Sequence, residues 1–318
     1  MTGKHNDSKR ISPLFNDAFL RIFGGQDSKP VARSLANAIL REVGLPELGE
    51  IERIEADSAT PGTVSLKSTR CDVVMVLEGR IVDLEAQRHV VNVDNKSMLY
   101  AAKLLVDNTP RGRDAKYVEM PQVVVITLLS EAEAFEDDCF VSPCRMQWDR
   151  GGAPAEGTDR VMFVLVELEK VARLYNKVTS EVLADELTAW LYVLARGYRD
   201  EEEVEEIVQS IESIEKFAEM YGLAIDDPDI KRQYDLYQES ILEQNEIEYE
   251  AEQRGLKRGE ERGLEIGMKR GEERGLKLGE ERGLKLGEER GIERERERIV
   301  ENLRKLGMSE DQISAAIS

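Results

Sequence analysis

Apolar and polar positions alternate at two different periods along this chain of 318 residues. Residues 14–44, LFNDAFLRIF followed later by SKPVARSLANAILREVG, carry apolar side chains at helical intervals with a glycine near the stop, and predict helix. Between 70 and 88 the period falls to two. CDVVMVL and RIVDLEAQ flank Glu78-Gly79, a pair suited to a tight turn, and predict a β-hairpin. VDNKSMLYAAKLLVDN (93–108) returns to helical spacing through Leu99, Lys103 and Val106, with Asp94 or Asn95 as the cap. PQVVVITLLS (121–130) and RVMFVLVEL (160–168) read as strands that are apolar on both faces, a pattern of sheets covered on two sides. SEVLADELTAWLYVLARGY (180–198) predicts a closing amphipathic helix. Together these elements predict an α/β fold, a central sheet flanked by helices.

From Asp200 onward the pattern is charged and helical. Within 251–298 glycine falls at every fourth position from Gly255 to Gly291, ten in all. Four residues do not match the 3.6 of a helical turn, so the glycine stripe drifts about 40° per repeat. Ten interior glycines cost a helix roughly 8–10 kcal/mol relative to alanine. An isolated helix here is marginal. Either the segment is a flexible spacer, or Leu256, Leu264, Met268, Leu276, Leu284 and Ile292 pack in a homo-oligomer that keeps it helical. The expected divisions are a domain over 1–199, an acidic helical segment over 200–250, the glycine repeat over 251–298 and a short helical piece over 299–318.

Composition sharpens this picture in one respect. The net charge of −20 seats itself unevenly: residues 200–250 hold 18 acids and 3 bases, whereas 251–298 hold 13 acids and 14 bases. Local patches rather than net charge bind phosphate, so acidity confined to one segment does not exclude DNA as a partner. No stretch approaches the roughly 18 apolar residues of a membrane span. The N-terminal MTGKHNDSKR leads into no apolar run, and Cys71, Cys139 and Cys144 show no metal-type spacing; both fit a cytoplasmic protein with reduced thiols. With only His5 and His89, a histidine-rich metal site is excluded. No phosphate-binding glycine loop follows a strand.

The chemistry lies in the hairpin. A turn at Glu78-Gly79 sets Leu77 against Arg80, Val74 against Asp83 and Asp72 against Glu85, with Arg70 against Gln87. Asp83, Glu85 and Gln87 then share one face. Converging carboxylates repel unless protons or a cation intervene. Oxygen ligands of this kind suit Mg²⁺ or Mn²⁺, which points to phosphodiester hydrolysis. The alternative is the wet face of an amphipathic hairpin. Against it, Val74 and Val76 share the face with Asp72, confining the polar group to one end of an apolar surface.

These residues resemble the PD-(D/E)XK nuclease superfamily, and more narrowly the recombination-promoting nuclease (Rpn) family. The resemblance rests on NDAFLRIFG (16–24), CDVVMV, DLEAQ, the Tyr100 helix, PQVVVITLL and the glycine-punctuated tail. It implies a restriction-endonuclease-like core with a mixed sheet, a long charged helical extension, and Mg²⁺-dependent (or Mn²⁺-dependent) DNA cleavage that can promote recombination. Asp72 matches the first acid and Glu85 the second, both as metal ligands, and Gln87 occupies the lysine position as the third catalytic residue. Glutamine carries no charge, but its amide can position a water or a phosphate. The family's N-terminal acid followed by Phe-Lys is not matched: Asn16 or Asp17 fills the acid slot and Leu20 stands where lysine is expected, so Asp17 is a weaker candidate. Lys96, on the following helix, is a candidate phosphate contact. The expectation is a metal-dependent DNA endonuclease. The rival is a nuclease-like core without cutting activity that serves as an oligomeric scaffold, and a third reading has the acidic segment masking the DNA-binding face.

Overall fold

Six strands form one mixed sheet in the order β1-β2-β3-β4-β8-β5. They are β1 (Arg53–Ala59), β2 (Arg70–Leu77), β3 (Arg80–Gln87), β4 (Gln122–Leu129), β5 (Val141–Arg145) and β8 (Val161–Glu167); β6 (Trp148–Asp149) and β7 (Pro154–Ala155) pair separately. The structure, a computed structural model, describes residues 11–59, 70–146, 148–149, 154–155, 160–197 and 201–317. His5 and the side chain of Arg70 lie outside that set.

The turn residue Gly79 takes φ +68°, in the left-handed region that favours glycine. It sets the expected register, from Leu77↔Arg80 through Val74↔Asp83 to Val73↔Leu84. Between β3 and β4 the chain crosses over through helix α3 (Val93–Asn108), which makes those two strands parallel. Every residue of β4 after Gln122 is buried, as its unbroken apolar run requires.

The two faces of the sheet are covered differently. Val73, Met75, Val82, Leu84, Val124 and Ile126 pack against helices α1 (Asn16–Phe23) and α2 (Lys29–Glu42) and later helices, with Phe19, Phe23 and Leu35 in that core. Val74, Ile81, Val123 and Val125 pack against Ala101 and Leu104 of α3. That helix corrects two expectations. Asn92, at φ 62°, is its N-cap, so Asp94 sits in the first turn instead. Its buried row is Val93, Ser97, Ala101 and Leu104, while Leu99 and Val106 are exposed. Ser97 and Ala101 face the sheet, Ser97 Oγ lying 3.4 Å from Thr127 Oγ1 of β4.

Strand β1 was hidden from periodicity because RIEADSA is polar; it lies at the sheet edge, where charged side chains discourage further strand pairing, and among its described side chains Ile54 alone anchors it in the core. Gly24, after α1, lies so close to it that an added Cβ would come within 2.4 Å of the Ala56 Cβ. The expected helix over 180–198 is broken into α5 (Ser180–Ala184), α6 (Glu186–Tyr192) and a π turn (Val193–Gly197), preceded by α4 (Leu168–Leu174). Asp185 makes the break and caps α6, accepting the Thr188 N–H at 2.7 Å.

Charge and packing divide the chain at different places. In the acidic helices α7 (Glu201–Ser210) and α8 (Glu212–Asp226), Ile207, Ile214, Phe217 and Ala224 are buried in the main core. The first compact unit extends through Gln238. The second, Glu239–Ser318, contains most of helix α9 (Pro228–Lys305) and the short α10 (Glu310–Ile317). The glycine repeat is helical throughout, with its apolar side chains, Leu256 to Ile292, exposed.

Candidate active site

At the end of the hairpin away from its turn, the β2–β3 ladder stops after Val73↔Leu84. The next pair is held by side chains. The Asp72 N–H donates to Glu85 Oε1 at 2.8 Å, and the Ala86 N–H donates to Asp72 Oδ2 at 2.9 Å. Each carboxylate thus takes a backbone hydrogen from the opposite strand, and the two acids sit wedged between strands rather than standing side by side on a face. Alternation also fails here. Cys71 shares the α3-side cluster with Val74, three residues away, instead of following Val73 to the other face.

That shift brings Cys71 to two acids. A ligand atom of each of Cys71, Asp83 and Glu85 lies within 4.8 Å of the others. Asp83 is fully buried and Glu85 is 7% exposed. Among the described residues neither carboxylate oxygen of Asp83 meets a hydrogen-bond donor, so a shared proton must neutralise it or a cation compensate it. Burial, then the neighbouring charge of Asp72, pushes the Asp83 carboxyl up; contacts with Glu85 and Cys71 and the charge of Lys103 only partly oppose this. Glu85 is pushed up by burial, then by Asp83 and Asp72. The Cys71 thiol is raised by burial first and by Asp83 and Glu85 next. Tyr100 on α3 rises for the same reasons, burial and then Glu85 and Asp72.

The donor set fits a divalent cation. Three carboxylates converge, and one of them is buried without a donor. This is an arrangement that oxygen-seeking Mg²⁺ or Mn²⁺ relieves. Asp72 and Glu85 are brought together as the sequence pattern required. Gln87, at the end of β3, is half-buried and its amide Nε2 donates to the Val91 carbonyl at 3.4 Å. Lys96 is exposed on α3, and Asp17 is half-buried in the first turn of α1, outside the Cys71–Asp83–Glu85 cluster. Three residues join that sequence reasoning did not assign: Asp83, Lys103 and Cys71. Asp83 was legible as the residue two before Glu85 on one strand face, and Lys103 as the residue three after Tyr100 on one helix face. Cys71 was not legible, because only the broken alternation puts it there.

A buried acidic cluster at the open end of a hairpin, in a mixed sheet covered by helices on both faces, defines a restriction-endonuclease-like fold. The chain belongs to the family described as PD-(D/E)XK nuclease family transposase, whose model matches residues 14–250. No curated protein and no solved structure matches it.

Proposed function

We propose that this protein is a metal-dependent DNA endonuclease that hydrolyses phosphodiester bonds in the cytoplasm and can thereby promote recombination. The observation that carries the reading is the wedge of Asp72 and Glu85 between β2 and β3, with the orphaned carboxylate of Asp83 beside it. Asp72 and Glu85 hold Mg²⁺ or Mn²⁺; each is fixed in place by a backbone N–H, so little side-chain freedom is lost on binding. When bound, such an ion polarises a phosphoryl oxygen and lowers the pKa of a coordinated water. Gln87 would orient the nucleophilic water or the scissile phosphate through its amide, exchanging the long bond to Val91. Lys103, the cation whose charge acts on Asp83, supplies the positive charge that Gln87 lacks. Asp17 and Lys96 remain outside this set, Lys96 as a peripheral phosphate contact.

Supercoiled plasmid incubated with the purified protein, with and without Mg²⁺ or Mn²⁺, tests the reading. Metal-dependent nicking is expected, and Asp72→Ala/Glu85→Ala is expected to lose it. Nicking retained by the double variant would refute the assignment.

The tail favours an additional role in self-association. Leu264, Leu276, Leu284 and Ile292 are each more than 60% exposed on a helix whose glycines oppose it, so burial between copies is what would hold that helix. Light scattering should find the full chain oligomeric; a monomer at all concentrations would remove this role. The same oligomer without nicking would favour the scaffold reading.

A further inference from the structure

We propose that Cys71, Asp83 and Glu85 form a binding site for a thiophilic divalent cation of the zinc class. The proposal deepens the nuclease reading, since Glu85 is also assigned there to Mg²⁺ or Mn²⁺.

Two independent observations meet at this point. The first is the placement of a thiol and two carboxyl oxygens, one from each residue, within 4.8 Å of one another. In a tetrahedral zinc centre with one sulfur and oxygen ligands, neighbouring ligand atoms stand about 3.4–3.6 Å apart. Side-chain shifts of at most about 1.4 Å close the difference from 4.8 Å. The second is the side chain of Asp83, fully buried, aimed into the cluster and without a donor to either oxygen. A structural carboxylate in such a place accepts hydrogen bonds from a lysine, an arginine or several N–H groups; this one faces a thiol and another acid, and Lys103 acts on it through charge alone.

Sulfur decides the class of ion. Magnesium demands oxygen ligands in near-octahedral geometry, whereas zinc takes thiolate, imidazole and carboxylate in four-coordinate sites. Cys71 is separated from Asp72 by one peptide bond, yet it joins the cluster from the α3 side, so the two positions are adjacent and share Glu85. Binding of M²⁺ displaces the thiol proton, and any proton held between the two carboxyls, to solvent; a thiolate–metal bond forms and no electron changes hands. A zinc-class ion seated here occupies the carboxylate that a magnesium ion needs, so the two ions compete.

The test uses the full chain carrying Cys139→Ser and Cys144→Ser, because both of those thiols are exposed and would bind metal on their own. Cd²⁺ is titrated in the absence of DNA, and the ultraviolet charge-transfer band of a cadmium–thiolate bond is followed. A saturable band that Zn²⁺ abolishes is expected. Adding Cys71→Ser should remove the band. In place of that change, Asp83→Asn should keep the band and weaken Cd²⁺ by at least about tenfold. Circular dichroism checks the fold of each variant, and the near-isosteric Asp83→Asn decides the question if Cys71→Ser does not fold. Absence of the band at saturating Cd²⁺, or an unchanged affinity in Asp83→Asn, overturns the proposal. Cleavage plays no part in the readout. A protein that shows the band but never nicks DNA loses the nuclease reading alone, and one that nicks DNA without the band loses only this site.

Discussion

Two buried acids lie in the same sheet, Glu167 at the end of β8 and Asp83 within β3, and the chain treats them in opposite ways. Glu167, at the end of β8, is fully buried, and so is Lys170 one helical turn later, 3.0 Å away. The Ala134 and Phe135 N–H groups donate to Glu167 Oε1, while Oε2 is compensated by the lysine's charge rather than by an aligned hydrogen bond. Lys170 Nζ in turn donates to Asp137 at 2.8 Å and to the Cys139 carbonyl at 2.9 Å. Burial lowers the lysine's affinity for its proton, but Asp137 and Glu167 outweigh it and hold the group above its ordinary range. Asp83 is as deeply buried and has no such partner for either oxygen. A buried charge supplied with its own counter-ion fastens the fold. A buried charge left with other acids is a place for something from outside.

Four measurements separate these two clusters. The largest effect belongs to the hairpin: Asp72→Ala/Glu85→Ala should lower metal-dependent nicking by at least about 10²-fold, corresponding to the several kcal/mol such an ion contributes. Lys170→Met should cost about 3–5 kcal/mol in chemical denaturation, because it strands Glu167 without a cation, while leaving the protein's thermal response to Mg²⁺ intact. Asp83→Asn should go the other way. It should stabilise the metal-free protein by about 1–3 kcal/mol and reduce the rise in melting temperature on adding Mg²⁺ or Zn²⁺. A loss of stability in that variant would place Asp83 with Glu167 as a fastening group and break the comparison. The smallest effect is expected for Asp137→Asn, whose midpoint should stay near the parent's because its partner Lys170 keeps Glu167 and the Cys139 carbonyl.

The hairpin was readable because period two and Glu78-Gly79 together leave one register, observed from Leu77↔Arg80 to Val73↔Leu84, and continuing it one step brings Asp72 to Glu85. What period two does not carry is the splay after Val73, since it comes from the carboxylates themselves replacing backbone acceptors. The same holds on α3. Its helical character is plain, but the choice of Ser97 and Ala101 over Leu99 as the packed row is set by how near β4 lies, through contacts such as Ser97 Oγ to Thr127 Oγ1 at 3.4 Å. The acidic helices α7 and α8 misled for a related reason. Charge describes their outer surface, whereas Ile207, Ile214 and Phe217 decide where they belong. Cutting the chain near 200 to unmask a DNA-binding face would therefore remove part of the core, and charge reversal on the outer surface is the cleaner experiment.

The Asp72 and Glu85 carboxylates are held by backbone groups of each other's strand, so the loop at Glu78-Gly79 is mechanically part of the site although it touches none of it. One residue added to that loop would slide β3 past β2 by a single step. Such a step would turn the β3 side chains to the opposite face, taking Val82 and Leu84 from their core, and the two grips on Asp72 and Glu85 would release with it. Turn length is, in this protein, a setting of the chemistry.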